Sequence, residues 1–364
     1  MQQRGLHELH RELSRRDLLR LAGVGLSGLG LAAIAGCGSV DSTGRPTSTP
    51  EAVVDPPPET TTIRLGKDAR NPRLAPLYLA EQFLPAEGFT NVQYIDVRPA
   101  SFDVRAIAAG EIDIGLPWSV SSVPAVADAG DQLVVLAGVH NSAFELFGND
   151  RVQSLRDLKG KRIWGAKGDG ADPRYSLWAA LLAYVGIDLE HEVEFVGAVD
   201  DLTAQVLAGT IDAWTVTRPL STIFRRANIG GHVVLDATVD PPWSQYFGGM
   251  ATGNRDFVEK HPVATKRALR AILKATDLCA REPERAARYV VDRGFTPYTY
   301  DEALDTITGV SYAAWREFNP ADTLRFFALR LKEAGLVKST PDELIARATD
   351  WRYLEDIKRE LGVA

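Results

Sequence analysis

The stretch LAGTIDAWTV, residues 207–216, decides the fold, because AAGEIDIGLP at residues 108–117 repeats its pattern of Ala-Gly-x-Ile-Asp leading into an apolar run. Each copy reads as a helix stop followed by a strand start, with Gly110 or Gly209 free to take positive φ at the stop. A second pair stands upstream, RNPR at 70–73 and ADPR at 171–174. Asn71 and Asp172 are good N-caps there, and Pro72 and Pro173 suit the first helical position. Pro72 lies 38 residues before Gly110 and Pro173 lies 36 before Gly209, so both motifs recur in one order at an offset of about 100. One repeated pentapeptide means little. Two in step predict two related lobes.

Short apolar runs alternating with amphipathic stretches make each lobe α/β. Strands are expected at 63–67, 92–97, 112–116, 133–139, 161–165, 193–197, 211–215 and 232–236. Helices are expected near 72–85, 102–109, 119–129, 173–185, 200–208 and 219–227, and residues 254–364 read as helical throughout. The folded body is expected to begin at Ile63.

Of 364 residues, 45% are hydrophobic and 24% charged, an ordinary globular composition. The net charge is −7; the first 36 residues carry five Arg against three acidic residues, +2, leaving −9 on the rest. An acidic body without a basic run argues against nucleic acid as a partner. Cys37 and Cys279 make no disulfide framework, and the six His form no HxxxH pair, so neither a metal site nor a cofactor is expected. Cys279 falls on the apolar side of a helical stretch and reads as simply buried.

SRRDLLR, residues 14–20, precedes a mild apolar run of 16 residues, 21–36, that contains five glycines. Paired arginines before a weakly hydrophobic core read as a twin-arginine export signal over residues 1–36. The run ends in IAGC, residues 34–37, where small residues precede a cysteine as in a lipobox. That pattern implies cleavage before Cys37 and lipid on its thiol; the alternative is a soluble secreted protein with an incidental cysteine. Residues 37–61, rich in Ser, Thr and Pro, read as a flexible tether. The expected location is the outer face of the cell membrane, lipid-anchored, or the periplasm.

Ligands of open α/β sheets bind beyond the carboxyl ends of the strands. The loops there offer Arg70, Arg73, Trp118, Ser119, His140, Asn141 and Ser142 from the first lobe. The second offers Asp172, Arg174, Tyr175, Ser176, Thr217 and Arg218, and Trp243 lies where the chain crosses back. Arg73 and Arg174 would sit in the first turn of a helix, where a cation costs about 0.3–1 kcal/mol unless something compensates. A bound anion would compensate; solvent or a nearby Asp is the plainer partner. Trp118 and Trp243 read as pocket walls or as core, and Trp214 as core. Ser119 and Ser176 could donate to an oxyanion or cap a helix. His140, at a strand end, reads as a satisfied structural histidine ahead of a ligand contact.

Signals of catalysis are weak: no GxSxG or Walker A stretch occurs, and no carboxylate spacing singles out an acid/base pair. The glycines of GAKGDGADPRYS, residues 165–176, follow GxxGxG rather than GxGxxG, which argues against a dinucleotide site.

Three stretches together carry a family resemblance: AAGEIDIGLPWS (108–119), LFGNDRVQSLRDLKGKRIWGAKGDG (146–170) and GIDLEHEVEFVGAVDDLTAQVLAGTIDAWTVTRP (186–219). Over about residues 62–293 the chain resembles the solute-binding lipoproteins of ABC importers, in the nitrate/taurine/aliphatic-sulfonate group with thiamine-precursor relatives. The resemblance implies a type II periplasmic-binding-protein fold of two α/β lobes with the ligand cleft between them. Lobe 1 would comprise 62–141 plus 244–364, the C-terminal helices bracing it, and lobe 2 would comprise 142–243. Asp172 to Ser176 would match the family's ligand-contacting loop, although Asp169, Asp172 and Arg174 make it unusually charged. It further implies a monomer that is no enzyme, captures a small organic anion and delivers it to a permease with its ATPase subunits. The alternatives are a thiamine-pyrimidine-precursor binding or synthase-like protein, and a ligand-sensing surface lipoprotein.

Overall fold

The computed structural model describes residues 55–97, 102–128, 132–168, 172–197 and 202–363. The export signal of residues 1–36, Cys37, the tether up to residue 54, and Asp169 lie outside them. The duplicated Ile-Asp motif has a common physical cause in the two lobes. Asp113 is buried and accepts from the backbone N–H of Arg64 at 2.7 Å and from its guanidinium, whose Nη1 also donates to Gly110 O at 2.6 Å. Asp212, equally buried, accepts from Arg162 N and Nε, each at 3.0 Å, while Arg162 Nη2 donates to Gly209 O at 2.8 Å. The two glycines stand at φ 72° and 64°, which only glycine adopts without strain. Burial alone would raise the Asp212 pKa, but Arg162 and Asn149 pull it well below the usual carboxylate range.

These clamps join the strand that carries Arg64 or Arg162 to the strand after the motif, a parallel neighbour in the same sheet. Lobe 1 has β1 (Thr62–Lys67), β2 (Asn91–Asp96), β3 (Ile114–Gly115) and β4 (Leu133–Asn141); lobe 2 has β5 (Phe144–Gly148), β6 (Arg162–Trp164), β7 (Glu194–Val196), β8 (Ala213–Thr217) and β9 (His232–Asp236). The last strand, β10 (Phe247–Asn254), returns to lobe 1. The sheet orders are β2-β1-β3-β10-β4 and β7-β6-β8-β5-β9. In each, the first three strands run parallel and the strand delivered by the crossover, β10 or β5, lies antiparallel between the others. The registers repeat too: Leu65 pairs with Ile114, and Ile163 with Ala213.

Helices α1 (Ala75–Leu79), α2 (Phe102–Ala108) and α3 (Ser119–Asp128) belong to lobe 1, and α4 (Pro173–Tyr184), α5 (Leu202–Leu207) and α6 (Leu220–Ala227) to lobe 2. Asp172 caps α4, its Oδ1 accepting from Arg174 N at 2.8 Å and Tyr175 N at 3.4 Å. Asn71 does not cap; a 3-10 turn, Pro72–Leu74, opens there, and the Asn71 side chain holds Arg73 instead. The C-terminal region is helical as expected: α7 (Arg255–Lys260), α8 (Pro262–Arg281), α9 (Pro283–Asp292), α10 (Tyr300–Thr308), α11 (Ala314–Glu317), α12 (Pro320–Glu333), α13 (Pro341–Ala348) and α14 (Arg352–Glu360). No helix among the described residues is long and apolar enough to cross a membrane.

The structure departs from the sequence reading in four further places. The strands β5 and β10 were not expected. In β10, a Cβ at Gly248 would lie 2.6 Å from Asn141 O and one at Gly249 2.6 Å from His140 Nε2, so close packing demands glycines that make the stretch read as loop. Residues 55–61 are not tether: Glu59 caps α8 through Val263 N (3.0 Å) and Ala264 N (2.9 Å), and Asp55 pairs with Lys266 at 2.8 Å and with Arg270. The C-terminal region does not brace lobe 1 alone, since α12 packs on both α3 and α4. Trp243 is core, only 1% exposed, its ring within 5.2–5.8 Å of Phe144, Tyr184 and Phe326. Crowded by aromatics from lobe 2 and α12, it cannot reach the cleft as a wall. We expect Trp243→Ala to destabilise the protein by about 3–5 kcal/mol in urea unfolding, the cost of emptying a large buried site; a loss below about 1 kcal/mol would show that this junction contributes little.

Candidate ligand cleft

The carboxyl ends of both sheets open on a cleft of about 360 Å³. Lobe 1 lines it with Asp68, Arg70 and Trp118, and the C-terminal region adds Tyr298. Lobe 2 contributes Phe144, Trp164, Asp172, Arg174, Leu177, Thr217 and Arg218, among others. Trp118, Phe144 and Leu177 also border an inner recess of about 20 Å³, whose far side is made by Arg73, Ser119, Ser142 and Phe247. These three side chains therefore form the partition between an outer chamber and an inner one.

Arg73 is a charge taken deep into the protein. It is 6% exposed, its Nε donates to Asn71 Oδ1 at 3.0 Å, and its guanidinium stacks 5.0 Å from the Trp118 ring. Among the described residues no carboxylate lies within ion-pair distance of it. Burial lowers its pKa to about 10, with Tyr312, Asp68 and Tyr298 opposing the shift from farther off. Beside it Ser119 Oγ, on a residue 1% exposed, has no hydrogen-bond partner. A buried cation without a counter-charge and a buried hydroxyl without a partner are both costly, and both are relieved by one oxyanion. The recess has room for about one water-sized group, so an anion enters by displacing the partition.

The lobe 2 wall repeats the arrangement in a wetter form. Arg174, the twin of Arg73, lies 5.3 Å from the Trp164 ring, with its Nε 4.0 Å from Asp172 Oδ1. Each lobe thus presents an arginine over a tryptophan. Arg70 is exposed at the rim. Arg218 spans the lobes, its Nη1 donating to Asp305 on α10 at 3.3 Å, while Thr222 donates to the same carboxylate at 2.6 Å.

Other expected contacts lie elsewhere. His140 is buried, with Nδ1 2.8 Å from Asn141 O and its ring edge-on to Tyr312. Burial first, and Arg73 second, lower its pKa to about 3, so it is a neutral structural histidine. Asn141 spends its side chain on Ser311 N (2.7 Å) and Thr238 O (3.4 Å), tying the crossover to the C-terminal region. Tyr175 turns to Glu190 (2.5 Å) and Phe195, and Ser176 is fully buried within α4, so neither lines the cleft. Trp243, as above, is core. Asp68, Phe144, Trp164, Leu177 and Tyr298 are lining residues that sequence reasoning missed. Trp164 ends its strand directly before a glycine loop, which is the signal that could have found it. Among the described residues no group of three or more His, Cys, Asp or Glu is placed to hold a metal ion.

The His140 geometry sets a pH dependence. The unfolded chain binds a proton near pH 6.5 whereas folded His140 stays neutral to about 3, so stability falls as pH falls through that window. From pH 6.5 to 5 the His140 share of the loss is about 2 kcal/mol. We expect His140→Gln to remove that share from urea midpoints measured across this range; an unchanged slope would mean that His140 titrates normally.

A family model described as NMT1/THI5 like matches residues 71–286. A search of curated protein sequences finds no significant match. Among solved structures, the chain is similar to the periplasmic nitrate-binding protein NrtA from Synechocystis PCC 6803, at 14% identity and TM-score 0.66, covering 84% of this chain and 90% of that one. It is also similar to the alkanesulfonate-binding protein SsuA from Xanthomonas axonopodis pv. citri bound to MOPS, at 18% identity and TM-score 0.59, covering 80% and 99%. The desulfurization enzyme DSZB aligns at 15% identity and TM-score 0.56, covering 82% and 99%. The fold is therefore that of the periplasmic binding proteins.

Proposed function

The chain belongs to the NMT1/THI5-like family, and from that premise we propose that it is an extracytoplasmic solute-binding protein of an ABC importer that captures a small organic anion between its lobes. The observation that carries this is Arg73: a buried guanidinium with no carboxylate partner, beside an unpaired Ser119 hydroxyl, at the floor of an interlobe cleft. Nitrate and alkanesulfonate are named as ligands of the similar NrtA and SsuA, and both are compact oxyanions. Ligand touching both walls favours the closed arrangement only by its extra affinity for it. Closure would turn about the crossovers at 142–143 and 237–246, with α12 packed across both lobes. The closed form would then dock on a permease with its ATPase subunits, and lipid at Cys37, exposed once the export signal is cleaved, would hold the protein at the membrane face.

No chemistry is assigned to the cleft. Among the described residues its lining includes no cysteine; Cys279 lies in a separate recess near Asn141 and Thr308–Ala313, its thiol pKa pushed up by burial. The likeness to DSZB makes catalysis the second reading, and a sensor role the third. Recovery of the bound compound unchanged after prolonged incubation supports binding; its consumption points to an enzyme.

The test is a thermal-shift screen of nitrate, sulfate, alkane- and arenesulfonates, carboxylates and pyrimidines, followed by calorimetry. We expect an oxyanion to raise the melting temperature, and Arg73→Gln to weaken its binding by about hundredfold, the value of a desolvated charge-assisted contact. Affinity unchanged in Arg73→Gln would remove that residue from the site.

A further inference from the structure

The cleft leaves a polar atom unsatisfied in each lobe, and the two are chemically informative. In lobe 1 it is Ser119 Oγ; in lobe 2 it is Trp164 Nε1, on a residue 7% exposed that lines the outer chamber. An indole N–H can only donate, so what satisfies Trp164 must bring an acceptor. Trp214 Nε1 is also unpaired, but its ring is packed against Phe147 and Phe224 in the lobe core and lines no part of the cleft. Trp164 differs in two respects: it borders the chamber, and Arg174 stacks over its ring. A wall residue with an unpaired donor and a cation over its ring therefore stand together in lobe 2, as Ser119 and Arg73 do on the lobe 1 floor. Between the two pairs the surface is apolar, formed by Trp118, Phe144 and Leu177.

Building on the anion-capture reading, we propose that the ligand is two-ended: a compact oxyanion head at Arg73 and Ser119, a flat apolar middle along Trp118 and Phe144, and a second oxygen-bearing end at Trp164 Nε1 and Arg174. A molecule of this class satisfies one orphan from each lobe, so its two ends are held together only when the lobes close on it. A one-ended anion satisfies the floor and leaves the Trp164 donor bare. Trp164 is thus a specificity-determining residue, separating doubly capped ligands from singly capped ones of the same width.

The experiment is calorimetry on the full chain with 4-sulfobenzoate and benzenesulfonate, which share a head and a ring and differ in the distal carboxylate. We expect 4-sulfobenzoate to bind about tenfold or more tightly, the worth of one buried charge-assisted contact. Trp164→Phe keeps the ring and removes the N–H; it should cost 4-sulfobenzoate about tenfold and benzenesulfonate less than about twofold. Arg174→Gln, at a half-exposed position that tolerates replacement, should act in the same direction. Equal affinities in the wild type, or equal losses of both probes in Trp164→Phe and Arg174→Gln, would overturn the two-ended ligand while leaving anion capture standing. Failure of both probes and of every oxyanion in the screen would overturn anion capture, and the present inference with it.

Discussion

The structure depends on a clamp made twice. A guanidinium on β1 in one lobe and on β6 in the other closes over a buried aspartate and reaches on to the carbonyl of the glycine that ends the preceding helix. One charged cluster thereby ties a strand, the helix stop and the next strand together. The cleft loops leave those strands a few residues later: Asp68 and Arg70 follow β1, Trp118 follows β3, Trp164 ends β6 and Arg218 follows β8. Because the clamp is the same in both lobes, two similar loop sets face each other across the gap.

Against that background Arg73 is the exception that defines the site. Arg64 and Arg162 are matched to carboxylates, whereas Arg73 is taken out of water with one amide oxygen and an indole face for company. Such a group carries a desolvation cost that no carboxylate among the described residues repays. Ligand binding supplies the missing partner, and the gain is large because the guanidinium is already desolvated and held in place. The rim arginines are cheaper and weaker, since Asp172 and Asp305 already answer Arg174 and Arg218. They orient a ligand and add less to its retention than Arg73 does.

What the sequence made legible follows the same division. The repeated Ala-Gly-x-Ile-Asp motif was readable because its glycine and aspartate do local, backbone-level work in both lobes. The helix start at Asp172 was readable for the same reason. The crossover strands were not, because Gly248 and Gly249 in β10 answer to His140 and Asn141, more than a hundred residues earlier in the chain. Arg73 and Arg174 were singled out by charge at a helix start, yet only the fold shows one buried and the other half-open. Trp118 and Trp243 look alike in sequence, flanked by Pro and Ser; α12 packs over one of them and leaves the other at the cleft. Trp164 reads as an ordinary strand-end aromatic until Arg174 is placed over it.

The most direct measurement is a crystal structure of the protein with the oxyanion that gives the largest thermal shift. The expected result is an oxyanion head bonded to the Arg73 guanidinium and Ser119 Oγ, with Trp118 and Phe144 moved aside to admit it. An anion seated only at the rim on Arg70, Arg174 or Arg218, with Arg73 still sealed behind Trp118, would contradict the account.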